Sequence, residues 1–308
     1  MIDLLLLGTG AMMPLPHRWL SSLLVRSSRS LVLFDCGEGT QIPWRTYGWG
    51  FKRVDAICLT HLHADHVAGL PGLFHTIANS GRTEPMHLYG PPGTVDVVRG
   101  LRCIAPDLPY PMAIHEVEGG ASFDLPGGMR GTVAWGDHRI PCLAYRCDLP
   151  RQPRFDPGQA EMLGVPRALW SNLQRGEAIE IDGRNILPEM VLHDERKGVS
   201  FGFATDTRPA QAIVDLVQGV DLLVSEATYA LDEHMEQARQ NKHMTFREAA
   251  TMAREAAAGH LWLTHFSPRV SDPGASRDTA AAIFPAVDIG YSGLQGTLKF
   301  GRGYEPLG

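Results

Sequence analysis

The chain has 308 residues, 44% of them hydrophobic and 20% charged, which is enough apolar material for a sizeable core. Its net charge of −6 excludes a broadly basic surface that coats nucleic acid, though not RNA chemistry at a local site. Five cysteines without paired metal spacing fit reduced, mostly buried thiols in a cytoplasmic protein. No basic segment precedes the short run Leu4 to Leu7, so no signal peptide is expected, and no apolar stretch is long enough to span a membrane.

In chain order, short apolar runs end abruptly in polar residues. Ile2 to Leu7 runs into Gly8-Thr9-Gly10, Leu31 to Phe34 into Asp35-Cys36-Gly37, and Val54 to Leu59 into Thr60-His61. Gly131 to Arg146 reads as a hairpin turning near Asp137 to Pro141. Val199 to Ala204 runs into Thr205-Asp206, Val220 to Val224 into Ser225-Glu226, and Leu261 to Leu263 into Thr264-His265. Continuous runs of this length predict strands buried on both faces. Between them the clearest helix starts at Thr245, which forms a T-x-x-E capping box with Glu248, and Gly259 is its expected C-terminal cap. Strands interleaved with helices predict an α/β architecture. Residues 148–196 hold several prolines and no strong strand run, and from position 139 to 198 nine Lys/Arg meet nine Asp/Glu. This stretch is expected to be an inserted arm with no core of its own.

The strongest chemical signal is His61-Leu62-His63-Ala64-Asp65-His66, with three imidazoles and a carboxylate directly after a strand. Imidazole and carboxylate suit zinc and related divalent metals, and side chains two apart in a loop can serve two centres. His138, Asp206 and His265 stand at other strand or hairpin ends, giving seven potential ligands. Asp206 is suited to bridge, because a carboxylate offers two oxygens. His17, His75, His87, His115, His193, His234 and His260 lack such context, and most of them are expected to be structural or on the surface. Asp35 and Gly37 are expected to be structural supports, the short carboxylate accepting backbone N–H bonds in a tight turn.

The H-x-H-x-D-H cluster followed by His138, Asp206 and His265 resembles the metallo-β-lactamase superfamily. Phe34 to Gln41, Thr60 to His66, Thr205 to Pro209, Ser225 to Thr228 and Leu263 to Arg269 resemble the ribonuclease Z family more specifically, over nearly the whole chain. The loop Gly10 to Trp19 and the segment His243-Met244-Thr245 depart from that family's pattern and leave the metal chemistry intact. The resemblance implies one metallo-β-lactamase αββα sandwich over residues 1–308, with residues 148–196 as an arm that binds substrate. It implies two zinc ions, with manganese or another divalent metal as the alternative. His61, His63 and His138 would hold one ion and Asp65, His66 and His265 the other, with Asp206 between them. Asp65 would also position the attacking water, and His243, oriented by Glu226, would protonate the leaving oxygen. The implied activity is endonucleolytic removal of the 3′ trailer from precursor tRNA by a cytoplasmic homodimer. A small-substrate hydrolase on the same fold (cyclic phosphodiesterase, arylsulfatase or lactonase) is the alternative.

Overall fold

The computed structural model describes residues 1–193 and 196–307 and divides into two compact units, residues 1–149 with 199–308 and residues 150–198. In the larger unit every apolar run named above becomes a strand. An eight-stranded sheet runs in the spatial order Gly303–Leu307, Gln295–Lys299, Ile2–Gly8, Ser22–Ser27, Ser30–Phe34, Val54–Cys58, Met86–Gly90 and Met112–Glu116. A seven-stranded sheet has the order Val287–Ile289, Leu261–Thr264, Leu222–Glu226, Arg196–Ala204, Leu143–Arg151, Met129–Trp135 and Ser122–Leu125.

Alternation along the strands builds three apolar layers. Ile2, Leu4, Leu6 and Phe34 pack against Tyr145, Phe201, Phe203 and Trp262 between the sheets. Phe34 sits edge-on to Tyr145 and Phe201 at 5.5 and 5.6 Å between ring centroids. Leu5, Leu7 and Leu33 face outward and meet Trp44 and the helix Leu70–Asn79 through Leu73, Phe74 and Ile77. On the other side Leu223 and Leu263 meet the helix Phe246–Glu255 through Phe246, Ala249, Ala250 and Ala253. Each large side chain so buried contributes about 1.5–3 kcal/mol by leaving water. The result is an αββα sandwich.

The helix at Thr245 is capped as its sequence predicts. The Thr245 hydroxyl accepts from Glu248 N at 3.3 Å, and the Glu248 carboxylate accepts from Thr245 N at 3.0 Å. Its other end differs from expectation. The helix stops at Glu255, and Ala257, not Gly259, takes the left-handed conformation with φ of 48°. Gly259 is needed for close approach instead: a Cβ there would stand 2.8 Å from the Asp221 carbonyl oxygen.

The smaller unit also corrects the reading of its composition. It contains two short antiparallel pairs, Arg154–Phe155 with Leu192–His193 and Ile179–Ile181 with Arg184–Ile186. Ala160, Val165, Leu173, Ile179, Ile186 and Val191 form a small buried cluster of its own. Pro157 and Pro188 do not prevent this, because each opens a helix, where the N–H lacks a partner anyway. Pro157 opens the helix Pro157–Met162, whose N-cap Asp156 accepts from Gln159 N at 2.9 Å. Asp194 and Glu195 of the expected arm lie outside the described residues. Among the described residues no helix is long and apolar enough to cross a membrane. All five cysteines are unpaired, and only Cys103 is exposed.

Candidate active site and metal centre

Strand direction brings the polar ends together. Ser30–Phe34, Val54–Cys58 and Met86–Gly90 run parallel in the first sheet, as do Arg196–Ala204, Leu222–Glu226 and Leu261–Thr264 in the second. Their C-terminal ends deliver Asp35, His61, Asp206, Glu226 and His265 to one edge of the sandwich, where open α/β sheets place their sites. Asp35 and His265 directly follow a strand and Asp206 stands two residues beyond one, with φ of 56°, 59° and 52° respectively. Left-handed backbone turns these side chains back toward the interior, a strain that functional positions tolerate when neighbours hold them. Gly37 is a support in the sense expected: a Cβ would stand 2.2 Å from the Asp65 carbonyl oxygen.

All seven candidate ligands meet in one cleft. His61 Nε2 lies 3.0 Å from His63 Nδ1, and His138 Nε2 lies 3.3 Å from the same atom. His66 Nε2 lies 3.3 Å from His265 Nε2, and Asp65 Oδ2 is 3.6 and 3.7 Å from those two nitrogens. Within each cluster, His61, His63, His138 and Asp206 or Asp65, His66 and His265, the donor atoms lie within 4.8 Å of one another. Asp206 divides its carboxylate between the clusters. Oδ1 faces His61 and His138 at 3.6 and 3.9 Å, and Oδ2 faces His66 and His265 at 3.2 Å each. Oδ2 is buried with no hydrogen-bond partner, a costly arrangement for an anionic oxygen unless a cation meets it.

The electrostatics agree for three of the imidazoles, whereas His66, against the effect of its burial, is raised well above its ordinary range by Asp206 and Asp35. Burial lowers the His61 imidazole well below its ordinary range and lowers His63 and His138 as well, so these rings are neutral, as metal ligation requires. Burial works to raise Asp206, but the facing imidazoles of His265, His66 and His61 hold it well below the usual carboxylate range. The residues present therefore fit a pair of divalent cations sharing one carboxylate.

The fixed surroundings orient these groups. Asp35 is fully buried and accepts from Thr60 N and the Thr60 hydroxyl at 2.8 Å each, with His66 Nδ1 also at 2.8 Å. His138 Nδ1 donates to the Lys242 carbonyl at 3.2 Å. His243 Nδ1 lies 3.0 Å from Glu226 Oε1, and Glu226 also accepts from Thr207 N and Met244 N at 2.6 and 3.0 Å. Burial works to lower His243, but Glu226 and Asp206 raise it to about 9. The cleft, about 260 Å³, is rimmed by Met12, Arg139, Tyr229, Asn241 and Ser267.

Several contributors had no role in the sequence reading. Met12 N donates to Asp65 Oδ2 at 2.8 Å, which ties the loop Gly10 to Trp19 to the cluster. Arg208 donates to the His243 carbonyl at 2.6 Å while paired with Glu248. Thr60 and Thr228 stood inside the segments singled out above, but nothing in their spacing marked them. Of the histidines set aside, His87 and His115 pair with each other at 3.1 Å, and His260 pairs with Asp288 at 2.8 Å, all outside the cleft.

The profile of the family described as "Beta-lactamase superfamily domain" matches residues 190–266, and that of "Anti-Pycsar protein Apyc1" matches residues 2–99. Ribonuclease Z of Lachnospira eligens is 42% identical over 300 residues, covering 97% of this chain and 99% of its own length. Ribonuclease Z of Clostridium botulinum strain Eklund 17B is 42% identical over 313 residues, with 97% and 99% covered. Human tRNase Z, short form, superposes with a TM-score of 0.66 at 27% identity over 97% of this chain and 100% of its own. The metallo-β-lactamase fold protein YhfI of Bacillus subtilis superposes with a TM-score of 0.69 at 20% identity, over 96% and 98% of the two chains, and shows the shared fold.

Proposed function

The chain belongs to the ribonuclease Z family of metal-dependent hydrolases on the metallo-β-lactamase fold, and we propose that it removes the 3′ trailer of precursor tRNA in the cytoplasm. The observation that carries the reading is the division of the Asp206 carboxylate between two clusters of ligands. His61, His63 and His138 would hold one ion with Asp206 Oδ1, and Asp65, His66 and His265 the other with Asp206 Oδ2. Zinc suits this nitrogen and oxygen set best, with manganese as the alternative. When bound, two such cations supply Lewis-acid activation of water near neutral pH and neutralise charge on the phosphate.

The protein's own groups supply the rest. Asp65, fixed by Met12 N, offers its carboxylate to orient the attacking water. Water oxygen attacks phosphorus and the bond from phosphorus to the ribose 3′ oxygen breaks, leaving a 3′-hydroxyl on the tRNA and a phosphate on the trailer. With His243 Nδ1 given to Glu226, its Nε2 is the nitrogen free to pass a proton to that departing oxygen. Residues 150–198 would grip the tRNA, serving the active site of a partner in a homodimer.

The balanced charge from position 139 to 198 favours a second reading, because RNA binding relies on neutralising phosphates. In that reading the same centre hydrolyses a small phosphodiester. Cleavage of a precursor tRNA transcript beside bis(p-nitrophenyl) phosphate, with zinc or manganese added, decides between them. Single-site cutting of the transcript supports tRNA processing, and turnover of the small diester alone supports the second reading.

A further inference from the structure

Two buried threonines stand in matching places on the two sheets. Thr60 lies two residues beyond the strand Val54–Cys58, and its Oγ1 lies 2.8 Å from Asp35 Oδ2 and 3.0 Å from His61 Nδ1. Thr228 lies two residues beyond the strand Leu222–Glu226, and its Oγ1 lies 2.7 Å from Glu226 Oε2 and 3.0 Å from His265 Nδ1. Each acid holds a second imidazole directly, Asp35 that of His66 and Glu226 that of His243. One carboxylate thus anchors two rings on each side, one by contact and one through a hydroxyl.

A hydroxyl carries a single proton, whereas an ionised carboxylate only accepts. The threonine proton therefore goes to the acid, and the oxygen is left to accept from the ring. The Thr60 oxygen also accepts from Thr205 Oγ1 at 3.2 Å, so the Thr60 proton is not spent on that neighbour. His61 and His265 must then carry their proton on Nδ1, with a lone pair on Nε2. Those Nε2 atoms face the shared carboxylate, at 3.6 Å from Asp206 Oδ1 and 3.2 Å from Asp206 Oδ2.

We propose that Thr60 and Thr228 are positioning residues that select the Nδ1–H form of His61 and His265, so that each ring presents an unprotonated Nε2 to the metal centre. The inference rests on the two-metal reading above. Without the hydroxyl either ring form is open, and one of them turns an N–H toward the cation. The two relays serve different ions: Thr60 acts on the cluster of His61, His63 and His138, and Thr228 on that of Asp65, His66 and His265.

The test compares Thr60→Val and Thr228→Val, which keep shape and remove the hydroxyl, with Thr60→Ser and Thr228→Ser, which keep it. Zinc affinity is measured by chelator competition, and the ring form of each histidine by imidazole nitrogen resonances of the metal-free wild-type chain. The wild type should show His61 and His265 as Nδ1–H. Each valine variant should weaken one of two zinc sites by roughly tenfold to a hundredfold, the range for a lost outer partner, while each serine variant stays within about threefold. A proton on Nε2 of either ring in the wild type overturns the proposal whether or not the variants fold. So does a valine variant that binds both ions normally, or a serine variant as impaired as its valine counterpart. A wild type that binds fewer than two zinc ions sinks the two-metal reading instead, and the resonances still decide the ring forms.

Discussion

His243 Nδ1 lies 3.0 Å from Glu226 Oε1, although the two residues come from different elements of the second half of the chain. The carboxylate is fully buried and also takes the backbone N–H groups of Thr207 and Met244. His243 is held from the other side as well, its carbonyl accepting from Arg208 and the N-cap Thr245 of the next helix standing two residues later. A ring so fixed meets the positional demand of general acid catalysis.

Replacing His243 by Ala should therefore leave both metals and the fold in place. Turnover of the poor ribose 3′ leaving group should fall by roughly a hundredfold or more, the range of a lost general acid. Nitrophenyl esters, which leave without protonation, should lose much less. Rate measurements on both substrates, with metal analysis of the variant, check this. Equal losses on the two, or loss of metal, would exclude His243 as the acid.

The metal-free chain should show the same pair in its pH dependence. His243 is raised to about 9 in the folded state from an ordinary 6.5. A raised group stabilises fully below its unfolded value, and that contribution disappears as pH rises through the folded value. Thermal melting in chelator should place wild type above His243→Gln at pH near 6.5, with the gap closing by about pH 9.5. A gap that is constant or widens over that window would contradict the Glu226 pairing.

Asp206→Ala removes the carboxylate that faces both clusters. It should reduce bound zinc from about two to one or fewer per chain and abolish most activity. Metal stoichiometry by atomic emission reads this directly. Two tightly held ions in the variant would mean that Asp206 does not join the clusters.

Asp35→Ala strands three buried donors, Thr60 N, the Thr60 hydroxyl and His66 Nδ1. Each unpaired donor costs about 1–3 kcal/mol, so the melting temperature should drop clearly. Zinc affinity should also fall, by roughly tenfold to a hundredfold. If both quantities stayed at wild-type values, Asp35 would be an ordinary turn residue.

Replacing residues 150–198 with a short Gly-Ser linker should leave zinc binding and small-diester turnover close to wild type, because all candidate ligands lie in the larger unit. Precursor tRNA cleavage should fall strongly. Undiminished cleavage would move the RNA-binding surface elsewhere.

The sequence by itself determined the strands and the ligands, because both are local signals. Runs such as Leu31 to Phe34 and Leu261 to Leu263 are apolar without interruption, and burial on both faces demands that whatever the partner strand. The spacing His61, His63, Asp65, His66 states its chemistry within six residues. The hairpin around His138 and the capping box at Thr245 were legible for the same reason. Tertiary structure decided everything that depends on residues far apart in the chain. It chose Ala257 over Gly259 for the left-handed position, because Gly259 must pass close to the Asp221 backbone. It gave residues 150–198 a small core, since apolar residues spaced irregularly among prolines carry no period from which packing can be read. It also decided which oxygen of Asp206 faces which imidazoles, and joined Thr60 to Asp35 and Thr228 to His265 across 25 and 37 positions. Hydrogen bonds of that kind exist only once strands distant in the chain have paired side by side in a sheet, and no pattern along one strand encodes them.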